Sequence, residues 1–136
     1  WLYPGCRVMS TIGSKHLPQL WELCQACQAH LIARFMPSSQ VMLRCESLGI
    51  PPGQIIAMKG PFSLEMNRAV FRQYQVDLVL SKESGAAGGF TEKYLAAREL
   101  SIPLVVWSRP QMHYPRVFSS TAELLDYIKT TKGCLS

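Results

Sequence analysis

No stretch of the sequence is apolar for long enough to span a bilayer. The longest runs, such as Leu104 to Trp107 and Val76 to Leu80 interrupted by Asp77, fall far short of the roughly 20 residues required. A membrane partner is therefore not expected. No run of five or more basic residues occurs, and the aromatic residues sit beside apolar ones instead of between Lys and Arg, which argues against a nucleic-acid partner. Neither a Gly-x-Gly-x-x-Gly fingerprint nor a glycine loop ending in Gly-Lys-Ser/Thr is present, so nucleotide binding has no local signature. The five cysteines, Cys6, Cys24, Cys27, Cys45 and Cys134, are odd in number and irregular in spacing. This is not the disulfide framework of a small secreted domain, and a reducing cytoplasm is the expected location. The chain opens Trp1-Leu2-Tyr3-Pro4-Gly5, with no initiator Met, basic n-region or apolar h-region. Such a start reads as neither a translation start nor a signal peptide, and a piece of a longer protein is expected.

What is present is 136 residues, 48% of them hydrophobic, enough for one buried core and too few for two typical domains. Short apolar runs alternate with amphipathic stretches throughout. The pattern predicts one α/β domain over residues 1–136, a three-layer, Rossmann-like arrangement of about five parallel strands with helices on both faces. The expected strands are Arg7 to Thr11, Leu31 to Met36, Gln54 to Lys59, Val76 to Lys82 and Leu104 to Trp107. Between them, helical spacing groups Leu17, Leu20, Trp21 and Cys24, then Val41, Met42, Cys45 and Leu48, then Leu64, Val70, Phe71 and Tyr74. A helix from Phe90 to Leu100 precedes the last strand. Ser120 and Glu123 make a capping-box pattern for a final helix with Leu124, Leu125 and Ile128 on one side.

In such sheets ligands bind beyond the carboxyl ends of the strands, where loops converge and helix amides point outward. Three of these loops carry the candidate site. They are Thr11, Gly13, Ser14 and Lys15; Lys59, Gly60, Pro61, Phe62 and Ser63; and Lys82, Ser84, Gly85, Gly88 and Gly89. Lysines and backbone amides gathered at one sheet edge outline an anion site, in keeping with a formal net charge of +5. Turn-forming glycine and proline with solubilising lysine explain the same residues equally well.

The segment Met58-Lys59-Gly60-Pro61-Phe62-Ser63 with Glu65 and Asn67, and Val79-Leu80-Ser81-Lys82-Glu83-Ser84-Gly85 continuing to Gly88-Gly89-Phe90-Thr91-Glu92-Lys93, are similar to the two signature blocks of precorrin-6A reductases. Ser10 to Lys15 resembles that family's Thr-Gly-Arg/Ser-Lys loop, and Ala33-Arg34-Phe35-Met36-Pro37 its Arg-x-x-Pro segment. Ala96 to Leu100, Ile102-Pro103 and Arg109-Pro110 also fit, so the resemblance runs from about Arg7 to about Leu125. It implies the C-terminal half of a two-domain enzyme whose dinucleotide-binding N-terminal half lies outside this chain. The implied reaction is reduction of precorrin-6A, or its cobalt form, by NADPH in cobalamin biosynthesis. The implied partners are that polycarboxylate tetrapyrrole and the enzyme's own N-terminal domain, and a fragment alone is expected to be inactive. Within this reading Lys82 is the candidate catalytic residue, anchoring a carboxylate or donating a proton. The three loops hold substrate or cofactor.

Other constellations are discounted. Cys24, Cys27 and His30 have i, i+3, i+6 spacing but no fourth ligand, and packing explains Cys24 better, so no metal is expected. Glu92 and Lys93, early in a helix, read as a first-turn acid with an exposed neighbour. The competing functions are a non-catalytic domain binding an anionic metabolite and a flavodoxin-like flavin domain.

Overall fold

Successive residues of a strand point to opposite faces of its sheet, and here both sets are apolar. In Arg7–Ser10 (β1), Val8 belongs to one core and Met9 to another. In His30–Phe35 (β2), Leu31, Ala33 and Phe35 face the first and Ile32 the second. Strands of this kind are stable only when covered on both sides. The computed structural model describes residues 1–85, 88–108, 110 and 113–130. In it, Leu17–Ala26 (α1) and Ser39–Leu48 (α2) cover the first face through Leu17, Cys24 and Cys45. Leu64–Gln73 (α3) and Phe90–Glu99 (α4) cover the second through Phe71, Ala96 and Ala97.

With Ile55–Ala57 (β3), Leu78–Lys82 (β4) and Leu104–Trp107 (β5), the strands form one sheet in the order β3-β2-β1-β4-β5, every neighbouring pair parallel. The expected three-layer α/β architecture is therefore present. The order is that of the first five strands of the classic Rossmann fold and differs from the 2-1-3-4-5 order of flavodoxin-like domains, which removes the architectural basis for the flavodoxin-like alternative.

Element boundaries move for local reasons. β3 begins at Ile55 and not Gln54, because Pro52–Gln54 forms a 3-10 turn in which the Gln54 amide bonds to the Pro51 carbonyl. β4 begins at Leu78, because the Val76 amide is still engaged by the Phe71 carbonyl at the exit of α3. Gly49 ends α2 as its sequence position suggests, with φ +71° and its amide on the Cys45 and Glu46 carbonyls.

Thr121–Thr130 (α5) departs more. The Ser120 hydroxyl accepts from the Glu123 amide at 3.2 Å, and the Glu123 carboxylate accepts from the Ser119 amide at 2.9 Å, so local capping operates. Leu124, Leu125 and Ile128, grouped on one side of this helix by their spacing, are 39%, 49% and 51% exposed. Capping starts a helix, but burial needs a packing face opposite it. No described helix is long and apolar enough to cross a membrane.

Phe71 is fully buried between α3 and the sheet. Replacing it by Ala should lower unfolding free energy by about 3–5 kcal/mol, as measured by urea denaturation. A loss below about 1 kcal/mol would show that the second core is not the tightly packed layer described.

Candidate functional site

From β1 the chain winds outward to β2 and β3, then crosses back to start β4 on the other side of β1. The two loops that diverge at this switch point, after β1 and after β4, leave a crevice above the carboxyl ends of the strands. A cleft of about 290 Å³ opens there.

Of the residues singled out in the sequence, Thr11 and Gly13 line it from the first loop, Gly60, Pro61 and Phe62 from the second, and Lys82, Gly88 and Gly89 from the third. Lys15 and Ser84 face an adjoining cavity of about 470 Å³ on the β5 side, where the His16 ring stands edge-on to Trp107 at 4.7 Å between centroids. Lys82 lines both cavities. Ser14, Lys59, Ser63 and Gly85 line neither. Ser63 instead caps α3, its hydroxyl accepting from the Met66 amide at 3.1 Å.

The glycines of the third loop have steric roles. Gly89 caps α4 at φ +65°, and a Cβ there would sit 3.3 Å from the Pro61 Cβ. At Gly88 a Cβ would overlap Ser84 at 2.3 Å. A side chain at Gly89 would therefore press the second and third loops apart, and one at Gly88 would displace Ser84 within the third loop.

Three polar residues of the cleft were not among the site candidates: Arg34, Asn67 and Lys93. Arg34, near the end of β2, is 5% exposed; its guanidinium lies 4.4 Å from the Phe62 ring centroid and donates from Nη1 to Asn67 Oδ1 at 2.9 Å. Asn67, fully buried on α3, spends its own amide nitrogen on the Phe62 and Ser63 carbonyls at 3.2 and 2.9 Å. One neutral side chain thus ties the β3–α3 loop to β2.

Lys93 corrects the sequence reading outright. It is 6% exposed, not a solvent-facing neighbour of Glu92, because α4 turns its first-turn face onto the sheet end. Its ammonium lies 3.5 Å from the Thr11 hydroxyl, which itself donates to the Leu80 carbonyl at 3.0 Å. Burial, together with the nearby charges of Arg34 and Lys82, pushes Lys93 down to about 8, with Glu92 opposing. Burial brings Arg34 down to about 10, so it keeps its charge at neutral pH.

The signals for these residues existed in the sequence. Arg34 is a charge inside an otherwise apolar strand, and Asn67 and Lys93 share a helical face with buried neighbours. The cysteines offer no comparable chemistry. Cys27 is the cap residue of α1 and His30 begins β2, so the proposed i, i+3, i+6 set is not on one helix. Burial pushes the Cys24 thiol up to about 11, away from a reactive thiolate.

A doubly wound parallel sheet with a cation-lined crevice at its switch point defines the class as a Rossmann-like α/β domain. The family model described as "Precorrin-6x reductase CbiJ/CobK" matches residues 2–129, and the chain belongs to that family. It is 38% identical over 119 residues to the cobalt-precorrin-6A reductase of Priestia megaterium, covering 87% of this chain and 47% of that protein. It is 42% identical over 106 residues to the enzyme of that name from Salmonella typhimurium (78% and 40% covered), and 41% identical over 127 residues to that of Methanocaldococcus jannaschii (93% and 49%). The chain thus spans less than half the length of these relatives. The solved structure of a CobK precorrin-6A reductase superposes with a TM-score of 0.66 at 21% identity, covering 93% of this chain and 48% of that one, a likeness of fold.

Two predictions follow from the buried groups. Asn67→Ala should cost about 2–3 kcal/mol in chemical denaturation, because it leaves Arg34 and the Phe62 carbonyl without their partner, the Ser63 carbonyl keeping the backbone amide of residue 67, whereas Ser63→Ala should cost about 1 kcal/mol. Equal costs would mean that Asn67 is only a cap accessory. A lysine whose ammonium is disfavoured in the fold destabilises most where the unfolded chain holds its proton. Lys93→Met should therefore be more stable than wild type at pH 7, and its advantage should shrink as pH rises from about 8 to about 10.5. Comparing the two proteins at each pH cancels the opposing titration of Cys24, which is common to both.

Proposed function

We propose that this chain is the substrate-holding α/β domain of an NADPH-dependent reductase acting on precorrin-6A, or its cobalt form, in cobalamin biosynthesis. The observation that carries this reading is the pair of adjoining cavities, about 290 and 470 Å³, that meet at Lys82 above the switch point. Together they make an elongated cationic crevice suited to a large flat ring bearing carboxylates, wider than a single small anion needs. Lys82 is exposed at the shared rim, where it anchors one carboxylate by a charge-assisted hydrogen bond and orients the ring. Lys15, on the β5 side, is placed to reach another.

The described residues do not form a dinucleotide cradle. The loop after β1 lacks the glycine fingerprint, and α1 begins Leu17-Pro18, with a proline among the first residues where amides would face a pyrophosphate. In this reading NADPH is held mainly by the enzyme's N-terminal domain, outside this chain, and supplies hydride when bound. This chain binds and orients the macrocycle and shields it from water, and alone it turns over nothing. The enzyme is placed in the cytoplasm, without nucleic-acid or membrane partners.

In the full-length reductase, Lys82→Met should lower turnover at least about tenfold and weaken binding of a polycarboxylate corrinoid in calorimetric titration. Its melting temperature should stay near wild type, since Lys82 is exposed. Added salt should weaken corrinoid binding in the same titration. Unchanged kinetics would remove Lys82 from the site. Corrinoid binding without any NADPH-dependent reduction by the full-length protein would favour a non-catalytic binding domain.

A further inference from the structure

Arg34 and Lys93 are both more than nine-tenths buried, both line the 290 Å³ cleft, and neither comes within ion-pair distance of a described carboxylate. Arg68 and Glu99, by contrast, pair at 2.9 Å on the surface. Glu92, the chain neighbour of Lys93, has a buried carboxylate oxygen with no hydrogen-bond partner, so it does not neutralise the ammonium by contact. Arg34 spends only Nη1 on Asn67, and Asn67 is fully used by two carbonyls and that guanidinium. Lys93 has the 3.5 Å contact with Thr11 and no other described partner.

Glu92 favours a charged lysine at this position, but the larger local factors oppose it. It is buried, Arg34 and Lys82 are close by, and it sits one turn from the positive end of the α4 dipole. A methionine of similar length would fill the space without these penalties. Buried cations lacking a protein counter-ion, and facing a cleft, mark a place for an anion that arrives from outside.

The walls indicate which kind of anion. Phe35, Met36, Met58, Pro61 and Phe62 are apolar and line the same cleft. A phosphate would leave most of its oxygens facing such walls, whereas a carboxylate needs only the two cations and brings a carbon body that the walls accept.

We propose that Arg34 and Lys93 form a two-pronged subsite on the inner wall of the cleft for one carboxylate of an organic ligand, whose carbon arm lies against Met36, Met58 and Phe62. This rests on the substrate reading above and narrows it: one carboxylate arm of the ring enters the cleft, and the ring itself lies across Lys82. Binding is linked to protonation of Lys93, which is faced by Arg34 from β2, Lys82 from β4, Thr11 at the end of β1 and Glu92 on its own helix.

The test uses the full-length protein and tricarballylate, a small tricarboxylate without a ring, with inorganic phosphate as the comparison ion. Calorimetry should give tricarballylate binding that is weakened at least about tenfold by Lys93→Met, while thermal unfolding shows that variant folded and no less stable than wild type. Wild-type affinity should fall between about pH 7 and about pH 9, and the fall should disappear in Lys93→Met. Lys129→Met, on α5 and outside both cavities, should bind as wild type does. Three results would each overturn the subsite: no tricarballylate binding by wild type, binding indifferent to Lys93→Met, or phosphate bound as tightly as tricarballylate. Competition by a polycarboxylate corrinoid separates the two levels. Lys93-dependent tricarballylate binding that the corrinoid does not displace keeps the subsite and sinks the tetrapyrrole reading. Corrinoid binding and turnover that ignore Lys93→Met keep the reading and sink the subsite.

Discussion

The bond from Arg34 to Asn67 is the constraint on which the cleft depends. A guanidinium on a strand buried on both faces needs a partner, and a carboxylate there would have cancelled its charge. Asn67 supplies an acceptor and stays neutral, so the positive charge survives on the cleft wall. The same amide reaches back to the Phe62 and Ser63 carbonyls, which sets the loop after β3 and lays Phe62 over the guanidinium. That loop in turn faces Gly89 closely enough that a Cβ there would crowd Pro61 at 3.3 Å, so the placement of one amide helps to set the separation of the loops on either side of the crevice.

Holding two cations this way is a cost to the fold, borne where the remaining structure is strongest. β1 and β2 are the most deeply buried strands, with a core on either face of the sheet. Native stability is a small difference between large terms, so an unneutralised buried ammonium is tolerable only in a domain with packing to spare.

Much of this architecture was legible in the sequence, because strand and helix periods are properties of the chain itself. The strands came out within two residues or so of their true limits, and β5 matched at both ends. The misses fell where local signals and tertiary context disagree. Ser120 and Glu123 correctly marked the start of α5, yet no local pattern reveals whether a helix finds a surface to bury its leucines. Lys93 was misread because periodicity assigns a charged residue to solvent by default, and only the assembled sheet end shows that this face of α4 points into the cleft. Strand order was equally invisible beforehand, since it arises from crossovers that no single segment encodes.

The division of labour among the basic residues follows from where each is mounted. Lys15 and Lys59 stand on loops in solvent, where their charge steers an anion but cannot fix its orientation. Arg34 and Lys93 project from a central strand and a helix whose positions are set by the two cores, and their rotamers are confined by Phe62, Asn67 and Thr11. A group held by rigid elements loses little further freedom when it meets its partner, so it orients a ligand at lower entropic cost than a loop lysine does. Lys82 lies between these cases: its backbone ends a strand while its side chain is exposed. On the proposed function, this gradient from exposed rim to fixed inner wall would let a large polyanion be drawn in by the first set, turned by Lys82, and held in one register by the second.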